Sequence, residues 1–115
     1  MTLGEKQRLF TKLTAELIRH TYEDLGYELT YGETMRTSAQ AIANAASGAG
    51  ISNSLHLLRL AVDFNLFING VWQTDSVTYK LLGDYWKSLH PLCRWGGDFS
   101  RPDGNHFSLS HNGIS

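Results

Sequence analysis

Residues 60–67 read Leu-Ala-Val-Asp-Phe-Asn-Leu-Phe, and this run constrains the fold more than any other. Leu60, Val62, Phe64 and Leu66 fall on one face, while Ala61, Asp63 and Asn65 fall on the other, the period of two that a half-buried strand requires. Asp63 therefore points away from the apolar face. Asn69-Gly70 follows at once, a pair suited to the positive φ angles of a two-residue hairpin turn, so the strand should fold back into Val71-Trp72-Gln73.

A second alternation spans residues 105–110, with Phe107 and Leu109 on one face and His106, Ser108 and Ser110 on the other. Two neighbouring strands would offer Asp63 and His106 from one polar face. His56 lies just before the first strand, where the loop Gly48-Ala49-Gly50-Ile51-Ser52-Asn53-Ser54 could fold its imidazole back to the same point. A catalytic zinc is held by three N or O ligands with a fourth position open, and His56, Asp63 and His106 would make that set. Asp103 would be a spare carboxylate, free to move protons. Each residue alone is more simply read as a hydrogen-bonded structural group. Their convergence favours a metal, because a buried carboxylate without a cation or donors costs several kcal/mol.

The remaining elements suit a compact α+β domain, helices packed on a small antiparallel sheet. Thr2-Leu3-Gly4-Glu5 reads as a capping box, Leu9, Leu13, Leu17 and Ile18 give helical periodicity, and Gly26 is a fitting stop. A short strand is expected over residues 27–31. Thr37-Ser38-Ala39-Gln40 forms a second capping box, opening an alanine-rich helix that ends near Ser47-Gly48. Residues 76–89 predict a further helix with Tyr79, Leu82, Tyr85, Trp86 and Leu89 on or near one face, ended by His90-Pro91.

At 115 residues the chain is expected to be a single domain, residues 1–115, acting as a monomer. Its formal net charge of −1 comes with scattered Lys and Arg, which disfavours nucleic acid and anionic membranes as partners. Cys93 is the one cysteine, so no intrachain disulfide forms, and its apolar neighbours suit packing rather than nucleophilic chemistry. No basic segment followed by an apolar stretch opens the chain, and no run reaches membrane-spanning length.

The run Ser54 to Asp63 resembles the Ser-x-His-(x)6-Asp zinc signature of the D-alanyl-D-alanine carboxypeptidase and dipeptidase superfamily, which includes the phage L-alanyl-D-glutamate endopeptidases. Asp103-Gly104-Asn105-His106 resembles that superfamily's second block, with Asp in the first place as in the endolysin branch. Arg36-Thr37-Ser38-Ala39-Gln40 is similar to its Arg-Thr-x-x-Gln element, and Trp95-Gly96-Gly97-Asp98-Phe99 to its Trp-Gly-Gly-Asp-Trp strand. The family often has glycine where this chain has Arg59, and some relatives carry an acidic residue where it has Ser108.

The resemblance implies a Hedgehog/D-Ala-D-Ala peptidase-like fold and a zinc peptidase that cuts a peptidoglycan stem peptide, first of all between L-alanine and D-glutamate. His56, Asp63 and His106 would be the zinc ligands and Asp103 the general base. Arg36 would steady the oxyanion or hold a substrate carboxylate. Alternatives are a D-alanyl-D-alanine carboxypeptidase or dipeptidase, a zinc-containing module without turnover, or a phage particle component. The expected site of synthesis is the host bacterial cytoplasm, with action on the cell wall after release and no separate wall-binding domain.

Other polar and aromatic residues carry blander expectations. His20 should face solvent, His90 sits at a helix end, and His111 lies in a polar tail. Ser54 would brace the His56 loop, and Asp98 is either support for the site or a turn residue. Trp72, Trp86 and Trp95 are expected in the core, with Trp95 able to border the cleft.

Overall fold

The computed structural model describes residues 1–32 and 55–115. The expected alanine-rich helix, Arg36 and Ser54 lie outside the described residues. Helix α1 spans Leu3–Arg19 and opens on the expected capping box, in which Glu5 N–H donates to Thr2 Oγ1 at 3.1 Å and Thr2 N–H to Glu5 Oε1 at 2.9 Å. It ends earlier than the sequence predicts, passing into one widened turn over His20–Asp24. There the buried Thr21 hydroxyl donates to Leu17 C=O at 2.8 Å, and Gly26 takes φ +70° where the chain leaves the turn.

Strands β1 (Glu28–Tyr31), β2 (Ala61–Ile68), β3 (Val71–Gln73), β4 (Cys93–Trp95) and β5 (His106–Leu109) form one antiparallel sheet in the order β1-β2-β5-β4, with β3 also paired to β2. The hairpin between β2 and β3 turns on Asn69 and Gly70 at φ +51° and +77°, the left-handed pair the sequence predicts. A 3₁₀ turn over Ser76–Tyr79 leads into helix α2, Lys80–Leu89, which stops at the extended His90.

Both helices cover the face of the sheet that carries Val62, Phe64 and Leu66. Phe10, Leu13 and Leu17 of α1 bury one stripe, and Leu82 and Trp86 of α2 bury another. Trp86 joins the layers, edge-on to Phe10 at 5.7 Å and to Phe107 at 6.2 Å between ring centroids. Its indole N–H donates to the carbonyls of Arg94, at 2.9 Å, and Ser108, at 3.1 Å, so the polar tip of the ring is satisfied inside the core. β5 is buried along its whole length, on both faces rather than one. No helix among the described residues is long and apolar enough to cross a membrane.

Two expectations need correction. Trp72 is 56% exposed rather than core, on a three-residue strand at the end of the sheet. His20 is half-buried, its ring stacked on Tyr85 at 3.7 Å and its Nδ1 2.8 Å from Asp24 Oδ2. Asp98, for which the sequence leaves site support and a turn position open, is an exposed ion-pair partner of Lys87 at 2.8 Å. Cys93 is buried as expected, and burial pushes its thiol up to about 12.

Candidate metal centre

The face of β2 opposite the helices carries Asp63, and the register of β2 against β5 sets it directly across from His106. His56 arrives from the 3₁₀ turn Leu55–Leu58, which is closed by Leu60 N–H donating to Leu55 C=O at 3.0 Å. That closure requires Arg59 at φ +56°, the left-handed conformation in which glycine is the easy residue. The chain thus makes this bend with an arginine, at a cost of about 1–2 kcal/mol. Gly32 donates its N–H to Asp63 C=O at 2.7 Å, and a side chain there would crowd Asp63 Cβ.

These elements bring together all three expected ligands. His56 and His106 are buried and Asp63 is mostly so, and one ligand atom from each lies within 4.8 Å of the others. Asp63 Oδ1 is the shared point, 3.5 Å from His56 Nε2 and 3.4 Å from His106 Nδ1. Charge-assisted hydrogen bonds run at about 2.7–2.9 Å, so neither contact is a good one, and Oδ1 is buried with no hydrogen-bond partner among the described residues. A tetrahedral zinc with bonds of about 2.0–2.1 Å would instead separate its ligand atoms by about 3.3–3.4 Å. The distances therefore suit a bridging cation better than direct pairing, and two imidazoles with one carboxylate are a catalytic zinc's donor chemistry. Burial raises the Asp63 carboxyl, but His106 and His56 more than offset it and hold it below the usual carboxylate range. The group is an anion, ready to ligate at neutral pH.

Asp103 sits beside this cluster on a loop fixed by its backbone. Its N–H donates to Gly96 C=O at 2.9 Å, and its own C=O accepts from His106 N–H at 3.1 Å. Gly104, next along, donates to Ser76 Oγ at 2.9 Å and accepts from the Trp95 indole at 2.7 Å. Gly96 has to be glycine, since a Cβ there would meet the Asp103 carbonyl oxygen and His106 Cβ. The Trp-Gly-Gly block is therefore a clamp on the Asp103 loop, and the sequence reading missed both that role and the part of Ser76. The Asp103 side chain remains exposed. Phe99 closes the other side, its ring 5.4 Å from that of His106.

The other histidines lie elsewhere: His90 Nδ1 accepts from Leu92 N–H at 3.1 Å, and His111 Nδ1 is 2.9 Å from Lys6 Nζ. Ser108, in the place where some relatives carry an acid, is wholly buried opposite Ala61, its hydroxyl without a partner among the described residues.

A search among curated proteins finds no match. The solved structure of the L-Ala D-Glu endopeptidase ChiX of Serratia marcescens superposes with a TM-score of 0.76 at 20% identity, over 93% of this chain and 85% of that one, which establishes a shared fold. A family model described as D-alanyl-D-alanine carboxypeptidase matches residues 47–109, more than half of the sequence and the stretch that holds His56, Asp63, Asp103 and His106. The chain belongs to the D-alanyl-D-alanine carboxypeptidase family.

Proposed function

We propose that this chain is a zinc-dependent peptidase that hydrolyses a bond in peptidoglycan stem peptides, the one between L-alanine and D-glutamate. The observation that carries the reading is the single Asp63 oxygen set 3.4 and 3.5 Å from two imidazole nitrogens, distances that fit ligands of one ion. His56, Asp63 and His106 would hold the zinc. Bound there, zinc supplies Lewis acidity, which lowers the pKa of water towards neutrality and polarises a carbonyl.

The chain's own residues do the rest. Asp103, exposed on a fixed loop, takes the proton of the attacking water and returns it to the leaving amine. Asp63, held ionised beside the imidazoles, would ligate without first releasing a proton. The role of Arg36, to steady the oxyanion or a substrate carboxylate, rests on the sequence resemblance, since Arg36 lies outside the described residues.

The likeness to an L-Ala D-Glu endopeptidase supports the choice of bond. The description of the matching family model favours a second reading, removal of the terminal D-alanine. Mass analysis of purified muropeptides after incubation with the zinc-loaded protein separates them. New D-glutamate amino termini support the first, release of D-alanine supports the second, and intact stems overturn both.

A further inference from the structure

We infer that the cleft beside Asp103 is a saccharide subsite in which Trp72 stacks on the sugar ring that carries the stem peptide. This rests on the peptidoglycan reading above and extends it to the glycan. Trp72 is paired with Phe67 across β2 and β3. Alternate residues of a strand share a face, so Asp63, Asn65 and Phe67 look the same way, and Trp72 looks with them. The exposed indole thus lies on the face that carries the metal cluster, four residues along β2, or about 13 Å at 3.3 Å per residue.

That spacing matches the substrate's chemistry. In peptidoglycan the stem begins with L-alanine, joined through a lactyl group to a muramic acid ring. Alanine and lactyl together span about 7 Å at extended-chain lengths, which brings the ring into the cleft between cluster and indole when the bond after L-alanine is at the metal.

The cleft, of about 310 Å³, is lined by Asp103 and Trp72 together with the polar residues Asn65, Gln73, Thr74 and Asn105. Among the described residues, no lysine or arginine lines it. Among these described residues an acidic peptide would find no counter-charge and would meet the Asp103 carboxylate, whereas a neutral ring needs only polar hydrogen-bonding groups and an aromatic face. The platform is also rigid. The Tyr79 hydroxyl accepts from Leu66 N–H at 3.0 Å and donates to Gln73 C=O at 2.8 Å, which ties the end of β3 to β2.

The test compares one stem peptide in two forms, linked to its disaccharide and free. Trp72→Ala should lower the ratio of kcat/KM for the linked form over the free form by about three- to tenfold, the scale of one aromatic contact, and Trp72→Phe should restore most of it. A ratio unaltered by Trp72→Ala, in a protein that cleaves both forms, overturns the saccharide subsite and leaves the peptidase reading standing. A parent protein that cleaves neither form overturns the peptidase reading. The subsite is then judged by titrating disaccharide-linked L-alanine into the labelled protein. A shifted Trp72 indole N–H, with those of Trp86 and Trp95 unmoved, supports it. No shift, or a shift that follows protein concentration without ligand, overturns it.

Discussion

Asp63 and His106 face each other as a non-hydrogen-bonded pair of β2 and β5, flanked by the bond from Phe64 N–H to Asn105 C=O at 2.9 Å. Such pairs are the close ones of an antiparallel ladder, with Cα atoms about 4.5 Å apart, so their side chains converge without any bend in the backbone. A cluster built on ladder geometry should survive the loss of one side chain. His106→Ala is expected to keep its helices by circular dichroism while losing tight zinc binding. Full zinc content in that variant, by elemental analysis, would contradict the ligand assignment.

Asp103→Asn keeps the shape of the side chain and removes its basicity. Zinc content and melting temperature should stay near those of the parent, and turnover of muropeptides should fall on the order of a hundredfold or more. Loss of zinc would make Asp103 a ligand, and retained turnover would place the proton transfer elsewhere.

Gly96→Ala tests the clamp. Its methyl would press on both the Asp103 carbonyl and His106 Cβ, and relief of that overlap has to move the loop or the strand. A stability loss of about 1–3 kcal/mol is expected, read as a lower midpoint in urea. Turnover in the absence of denaturant should fall as well, since the displaced groups belong to the site. A variant with the parent's midpoint and rate would show that the loop is not held there.

Cys93 gives the pH dependence. Burial pushes its folded-state value up to about 12, above the ordinary thiol value of 9.0, so the folded state holds its proton where the unfolded chain gives it up. The associated stability is complete below pH 9 and is lost progressively as the pH rises towards 12. Alkylation at pH 8 should accordingly be slow in the folded protein and fast in urea. Equal rates by thiol titration would refute the burial argument.

Much of this arrangement is legible in the sequence because it is local. Alternation along residues 60–67 and Asn69-Gly70 place Asp63 on an outward face of a hairpin, and the second alternation does the same for His106. What stays hidden depends on partners distant in the chain. His20 stacks on Tyr85, 65 residues away, and the Asp103 loop leans on Ser76 and Trp95, neither of which advertises that role. Trp72 illustrates the opposite failure: an indole in a strand looks like core, yet on this short three-residue strand it is more than half exposed. Arg59 carries no sequence sign of a left-handed residue, yet it takes a positive φ.

The five bonds that pin the backbone from Asp103 to His106 separate two properties that surface loops usually combine, exposure and mobility. The carboxylate meets solvent while its main chain is as tied as a strand. Its amide hydrogens, with those of Gly104 and His106, should exchange with the core rather than with the surface. The entropy of ordering the Asp103 main chain is then spent once, during folding, and no share of it falls on each encounter with a bound molecule.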